Sequence, residues 1–150
     1  MCFTLYLAAA CPIPELPWDH AHPRLNTSKP GDTDSDLGNH LSRPFRKRVG
    51  SSRHCGCGFR HAMYQSGDWP EIEFRDPEPG DAADEQQNHD PLARLLEELL
   101  ASCEKVELYG CWNGELAESG VREEHVVVDD IRAADFVFRE RCKYIVKGGV

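Results

Sequence analysis

Phe3, Leu5 and Leu7 alternate with Cys2, Thr4 and Tyr6 at the start of the chain. Alternation at period two marks a strand, and the lack of charge on either side predicts one buried on both faces and central in its sheet. Pro12, Pro14 and Pro17 end it, because proline fits neither a helix interior nor a central strand. Residues 19–44 are polar, carry Gly31 and Gly38 among several Asp and Asn, and read as a long irregular loop. A short strand is predicted within 45–52, "FRKRVGSS", and Ile72 and Phe74 alternating with Glu71 and Glu73 predict another at 69–75. Residues 76–89, "DPEPGDAADEQQNH", hold too little apolar surface to pack and read as an acidic linker free to vary.

The clearest element comes next. Asp90 suits an N-cap and Pro91 the first helical position. Leu92, Leu95, Leu96, Leu99, Leu100 and Cys103 then form one stripe, with Arg94, Glu97 and Glu98 on the outer side, which predicts a helix over 91–103 packed on a sheet. Strands are predicted at 105–112 and 124–130, and again in "DFVFRE" and "RCKYIVK" at the end. Short connections after the helix favour an antiparallel meander over repeated βαβ units. The predicted fold is α+β: a single domain over 1–150, with one main helix on one face of a mostly antiparallel sheet.

Composition narrows the function classes. The net charge of -9, from 26 acidic against 17 basic residues, argues against general nucleic-acid binding and against anionic membranes. No run approaches the length of a membrane span. The apolar start has no basic residue before it and is too short for a secretion leader, so the chain reads as cytoplasmic. Seven cysteines are many for 150 residues, and in a reducing compartment they are expected to be free.

Two of them lie in "HCGCGFRH", which places Cys55, Cys57, His54 and His61 within eight residues. Thiolates and imidazoles are zinc ligands, and the intervening glycines let the backbone bend around an ion. The candidate metal ligands are therefore Cys55, Cys57, His54 and His61, with Cys2, Cys11, Cys111 or Cys142 as donors from elsewhere in the chain. One CxC is a weaker signal than paired CxxC knuckles. The same thiols suit redox or nucleophilic chemistry, since Arg53, His54 and Arg60 favour thiolate. Residues 37–67 hold six Arg or Lys and no Asp or Glu, a basic island that also suits an anion held by Arg53 and Arg60. The plain alternative is a strand-to-turn bend in which cysteine is a small packing residue.

Cys2 is the other candidate nucleophile. If Met1 is removed, its thiol lies beside a free α-amine that can act as its base. In this it resembles class II glutamine amidotransferases and the abasic-site-crosslinking SRAP proteins, but only over the first two residues. Both usually continue Cys-Gly, where this chain has Cys2-Phe3. The combination of "MCFTLYLA", "PW", "GSSRHCGCGF" and "DFVFRER…YIV" resembles a bacterial family of uncharacterised proteins. That resemblance implies no activity; it implies that Met1 is a true start.

Other signals are minor. Asp129 and Asp130 near Glu123 and Glu124 form a possible cation site, His20 and His22 an HxH in a polar loop, and Asn113-Gly114 a hairpin-type turn. P-loop, dinucleotide, GxSxG and HExxH motifs are absent. Three readings follow: a protein whose Cys55/Cys57 loop binds zinc, a thiol enzyme using Cys57, Cys55 or Cys2, or a non-catalytic protein whose basic loop, with Arg46 and Arg53, meets an acidic partner. An exposed edge strand would also support a homodimer.

Overall fold

The computed structural model describes residues 2–62 and 81–148. Its strands are β1 (Phe3–Ala9), β2 (Asn26–Ser28), β3 (Phe45–Gly50), β4 (His61–Ala62), β5 (Lys105–Trp112), β6 (Arg122–Val127), β7 (Phe138–Arg139) and β8 (Cys142–Lys147). Six of them make one sheet in the order β2-β3-β1-β5-β8-β6, while β4 and β7 pair in parallel beside it. β1 is interior to the sheet and all seven of its residues are buried, as its alternation predicts.

The two faces of β1 feed two apolar clusters. Phe3, Leu5, Leu7 and Ala9 pack with Val106, Leu108, Tyr144 and Val146, and with Leu92, Leu96 and Leu99 of helix α1 (Asp81–Leu100). Tyr6 and Ala8 pack on the opposite face with Tyr109, Cys111, Leu37, Leu41 and Leu116. The fold is thus α+β, with a mostly antiparallel sheet and one main helix.

Several details depart from the sequence reading. The strands do not form a simple meander: after β5 the chain skips one position to place β6 at the sheet edge, and β8 then fills the gap between them, parallel to β6 and reached through the short helix α2 (Val128–Arg132). Asn113-Gly114 turns the chain, with Gly114 at φ 91°, but joins no hairpin because β5 has β1 and β8 as neighbours. The main helix begins at Asp81, not Pro91, and runs through that proline. Asp90 is accordingly no N-cap; its carboxylate accepts from Gln86 Nε2 at 2.8 Å. Residues 81–89 are therefore helix and not linker, and buried Glu85, Asn88 and His89 fix them to the rest of the fold. Residues 76–80 and the strand predicted at 69–75 lie outside the described residues.

The polar loop 19–44 is also more ordered than its composition implies. It contributes β2 and a 3-10 segment, Asp32–Asn39, and buries Leu25, Leu37 and Leu41. Its anchor is Asp34, which receives Arg48 through Nε at 2.7 Å and Nη2 at 2.9 Å and the Tyr6 hydroxyl at 2.7 Å. Finally, Cys11 and Cys103 form a disulfide, against the expectation that every thiol is free. It joins the segment after β1 to the end of α1, and it removes the cysteine count as an argument for a reducing compartment.

Candidate metal centre

The thiol loop hangs between the end of β3 and the start of β4, and Ser51 organises it. The Ser51 hydroxyl donates to the Cys55 carbonyl at 2.6 Å and accepts the Gly58 N–H at 3.0 Å. Ser51 N–H also donates to the Cys55 carbonyl at 2.8 Å. His54, at φ 75°, occupies the left-handed region between them, where histidine is one of the few tolerated side chains. Asn88 of α1 closes the loop from below: it accepts from Ser52 N–H at 2.8 Å and donates to the Gly58 carbonyl at 3.2 Å.

Gly56 lets this loop lie directly on β1. A Cβ there would stand 2.8 Å from the Phe3 carbonyl oxygen, closer than any side chain tolerates. Phe3 N–H donates in turn to Cys57 Sγ at 3.3 Å. This contact brings Cys2, just before β1, to the two loop cysteines. The sulfurs of Cys2, Cys55 and Cys57 all lie within 4.8 Å of one another, and all three residues are half-buried. Tetrahedral zinc with Zn–S near ~2.3 Å holds its sulfurs ~3.8 Å apart, so a small inward movement would seat an ion.

The protonation of the cluster is split. Burial opposes ionisation of Cys55, but the Cys57 N–H and the thiols of Cys57 and Cys2 outweigh it and lower its pKa. Burial and the neighbouring Cys55 push Cys57 up to about 11. The cluster therefore reaches its first thiolate readily and resists the second, as like charges at short range must. A cation at the centre would relieve that resistance.

The two histidines expected as ligands do other work. His54 stacks on Trp18, with ring centres 4.6 Å apart. His61 stacks on Phe3 at 4.6 Å and donates from Nδ1 to the Phe59 carbonyl at 2.7 Å. Arg60, paired with Arg53 in the sequence reading as an anion holder, turns inward instead. Its guanidinium donates to the carbonyls of Phe136 and Ala133, each at 2.8 Å, in the segment between α2 and β7. Cys111 and Cys142 are buried among apolar neighbours, which pushes both thiols up to about 12 and keeps them inert.

The acidic residues do not converge. Asp129 pairs with Arg132 at 2.6 Å and Asp130 accepts the Val127 N–H at 2.9 Å, while Glu124 pairs with Arg122 at 3.0 Å. Among the described residues, the three-cysteine group is the one convergence of potential metal ligands. It opens on a cleft of about 330 Å³ whose walls include Cys2, Cys55, Thr4, Asn113, Arg53 and Arg48. The chain matches no family model, no curated protein and no solved structure.

Proposed function

We propose that the protein binds one zinc ion through Cys2, Cys55 and Cys57. The observation that supports this most is the mutual approach of three sulfurs drawn from two distant parts of the chain. Three thiolates suit a soft-ligand ion, and the fourth coordination position then falls to water or a bound molecule from the adjoining cleft. An open position of this kind is the arrangement of metal centres that act on ligands. Among the described residues no helix is long and apolar enough to cross a membrane.

Metal content of the purified protein, measured by plasma mass spectrometry, tests the reading. About one zinc per chain is expected in the parent and none in Cys55→Ser/Cys57→Ser or in Cys2→Ser. Retention of zinc by either variant would remove the proposal.

A second reading rests on the lowered pKa of Cys55 beside a Cys57 that keeps its proton. That pairing suits a thiol enzyme in which Cys55 attacks and Cys57 resolves. It expects fast alkylation of Cys55 at neutral pH in metal-free protein and no zinc in the protein as isolated.

A further inference from the structure

We propose that β6 is a self-recognition edge: two copies of this chain pair their β6 strands antiparallel across a two-fold axis, with His125 of each opposite Glu123 of the other. β6 ends the six-stranded sheet, paired with β8 on one side and, among the described residues, with no strand on the other. Every second residue of such a strand turns its N–H and C=O to the open side, where they form a template for another strand. The opposite edge, β2, offers only the three residues Asn26–Ser28, too short a row to hold a partner. A second copy presents the same surface, so the residues of β6 decide whether the edge fits itself.

Val126 packs toward the core that holds α1, so the opposite face of the strand carries, in order, Val121, Glu123, His125 and Val127, all exposed. Antiparallel pairing brings residues of the same face opposite each other. In the register centred on Glu124, Glu123 meets His125 and Val121 meets Val127, each combination occurring twice. Centring on Glu123 or on His125 instead sets carboxylate on carboxylate or imidazole on imidazole. Within one chain His125 Nε2 already lies 3.7 Å from Glu123 Oε2, and Lys143 Nζ lies 3.9 Å from Glu123 Oε1. These contacts are long and leave both the Glu123 and His125 side chains more than half exposed, with room for a second neighbour. Pairing across the axis closes the four groups into a square in which every neighbour, along the strand and across it, is of the other kind. Val121 and Val127 are two of the three large apolar side chains left exposed among the described residues, and they cover each other at both ends of that square. On the inner face the two Glu124 meet at the axis, each with Arg122 of its own chain at 3.0 Å, so the meeting is between matched pairs.

The test uses the full chain after chelator treatment, so its outcome does not depend on zinc. Sedimentation equilibrium is expected to show monomer and dimer exchanging with a Kd on the order of 10 μM, as suits a small edge-to-edge contact. His125→Glu sets carboxylate against carboxylate twice per dimer and is expected to weaken it about tenfold. Adding Glu123→Lys to that variant restores unlike partners across the axis and is expected to return the Kd to within about threefold of the parent. Ser28→Glu, on the exposed end of β2, leaves the Kd unchanged, and thermal unfolding confirms that each variant is folded. In hydrogen exchange, amides of β6 are expected to slow as the concentration rises, while those of β2 do not. A monomer up to ~500 μM, a dimer indifferent to His125→Glu, no recovery in the double variant, or protection at β2 in place of β6 would each overturn the proposal.

Discussion

At the thiols, charge decides behaviour. Cys57 has its pKa pushed up to about 11, so at neutral pH it keeps a proton in metal-free protein. Zinc must displace that proton, and its affinity is expected to rise with pH by roughly tenfold per unit for each thiol still protonated. Competition with a chromophoric chelator between pH 6 and 8 measures the slope, and a flat profile would contradict a thiolate centre. Gly56 carries the complementary steric constraint. Gly56→Ala sets a methyl against the Phe3 carbonyl, so the loop must lift from β1; a loss of about 1–3 kcal/mol in chemical unfolding is expected, with weaker zinc retention. Gly114→Ala shows how local the effect is, since a Cβ there meets no atom within 4 Å and only the φ of 91° opposes it.

At the scale of elements, the first half of α1 is the support of the thiol loop. Asn88 bonds Ser52 and Gly58 on the loop, and His89 accepts Arg60 N–H at 2.9 Å while donating to the Ile131 carbonyl at 3.0 Å. Asn88→Ala leaves a buried carbonyl and an N–H without their partner, and a loss of about 1–3 kcal/mol is expected, with faster hydrogen exchange at the Ser52 amide. These residues also explain what the sequence disclosed and what it hid. Leu92 to Leu99 advertise a helix because apolar residues recur at helical spacing. Glu85, Asn88 and His89 continue the same face one and two turns earlier, but as buried polar side chains, and Asn88 and His89 find their partners remote in sequence. Periodicity in hydrophobicity cannot register them. β1 and β5 were legible for the same reason that α1 began late: apart from Thr4 and Glu107, their buried side chains are apolar. In the site, the CxC pair was visible as a motif, whereas the approach of Cys2 depends on β1 lying against the loop, a long-range pairing that no local pattern encodes.

Across the whole molecule, two buried carboxylates tie the second face of the sheet. Asp34 holds Arg48 and Tyr6; Glu107 receives Lys143 at 2.6 Å, Arg43 N–H at 2.8 Å and Ser42 N–H at 3.0 Å. Burial works against the charge in both, yet these partners prevail and hold both below the usual carboxylate range. Their folded pKa values lie beneath those of the unfolded chain, so their contribution is complete above the ordinary values of 3.8 and 4.5 and is lost as pH falls through the folded values. The melting temperature is therefore expected to fall steeply on acidification below about pH 4.5. Asp34→Asn should flatten that descent while lowering stability at neutral pH, and an unchanged pH profile in the variant would assign the acid sensitivity elsewhere.

The central strand is gripped by sulfur at both ends. Cys2 precedes it in the thiol cluster, and Cys11 follows it in a disulfide to Cys103, 92 residues away. A cross-link across that span is worth about 4–5 kcal/mol through the entropy of the unfolded chain. The two grips answer oppositely to electron supply. A strong reductant opens the second, and an oxidant consumes the thiolates of the first. Cohesion of the molecule should then peak at an intermediate redox potential and decline on either side, so that the state of its surroundings is written into how firmly its middle strand is held.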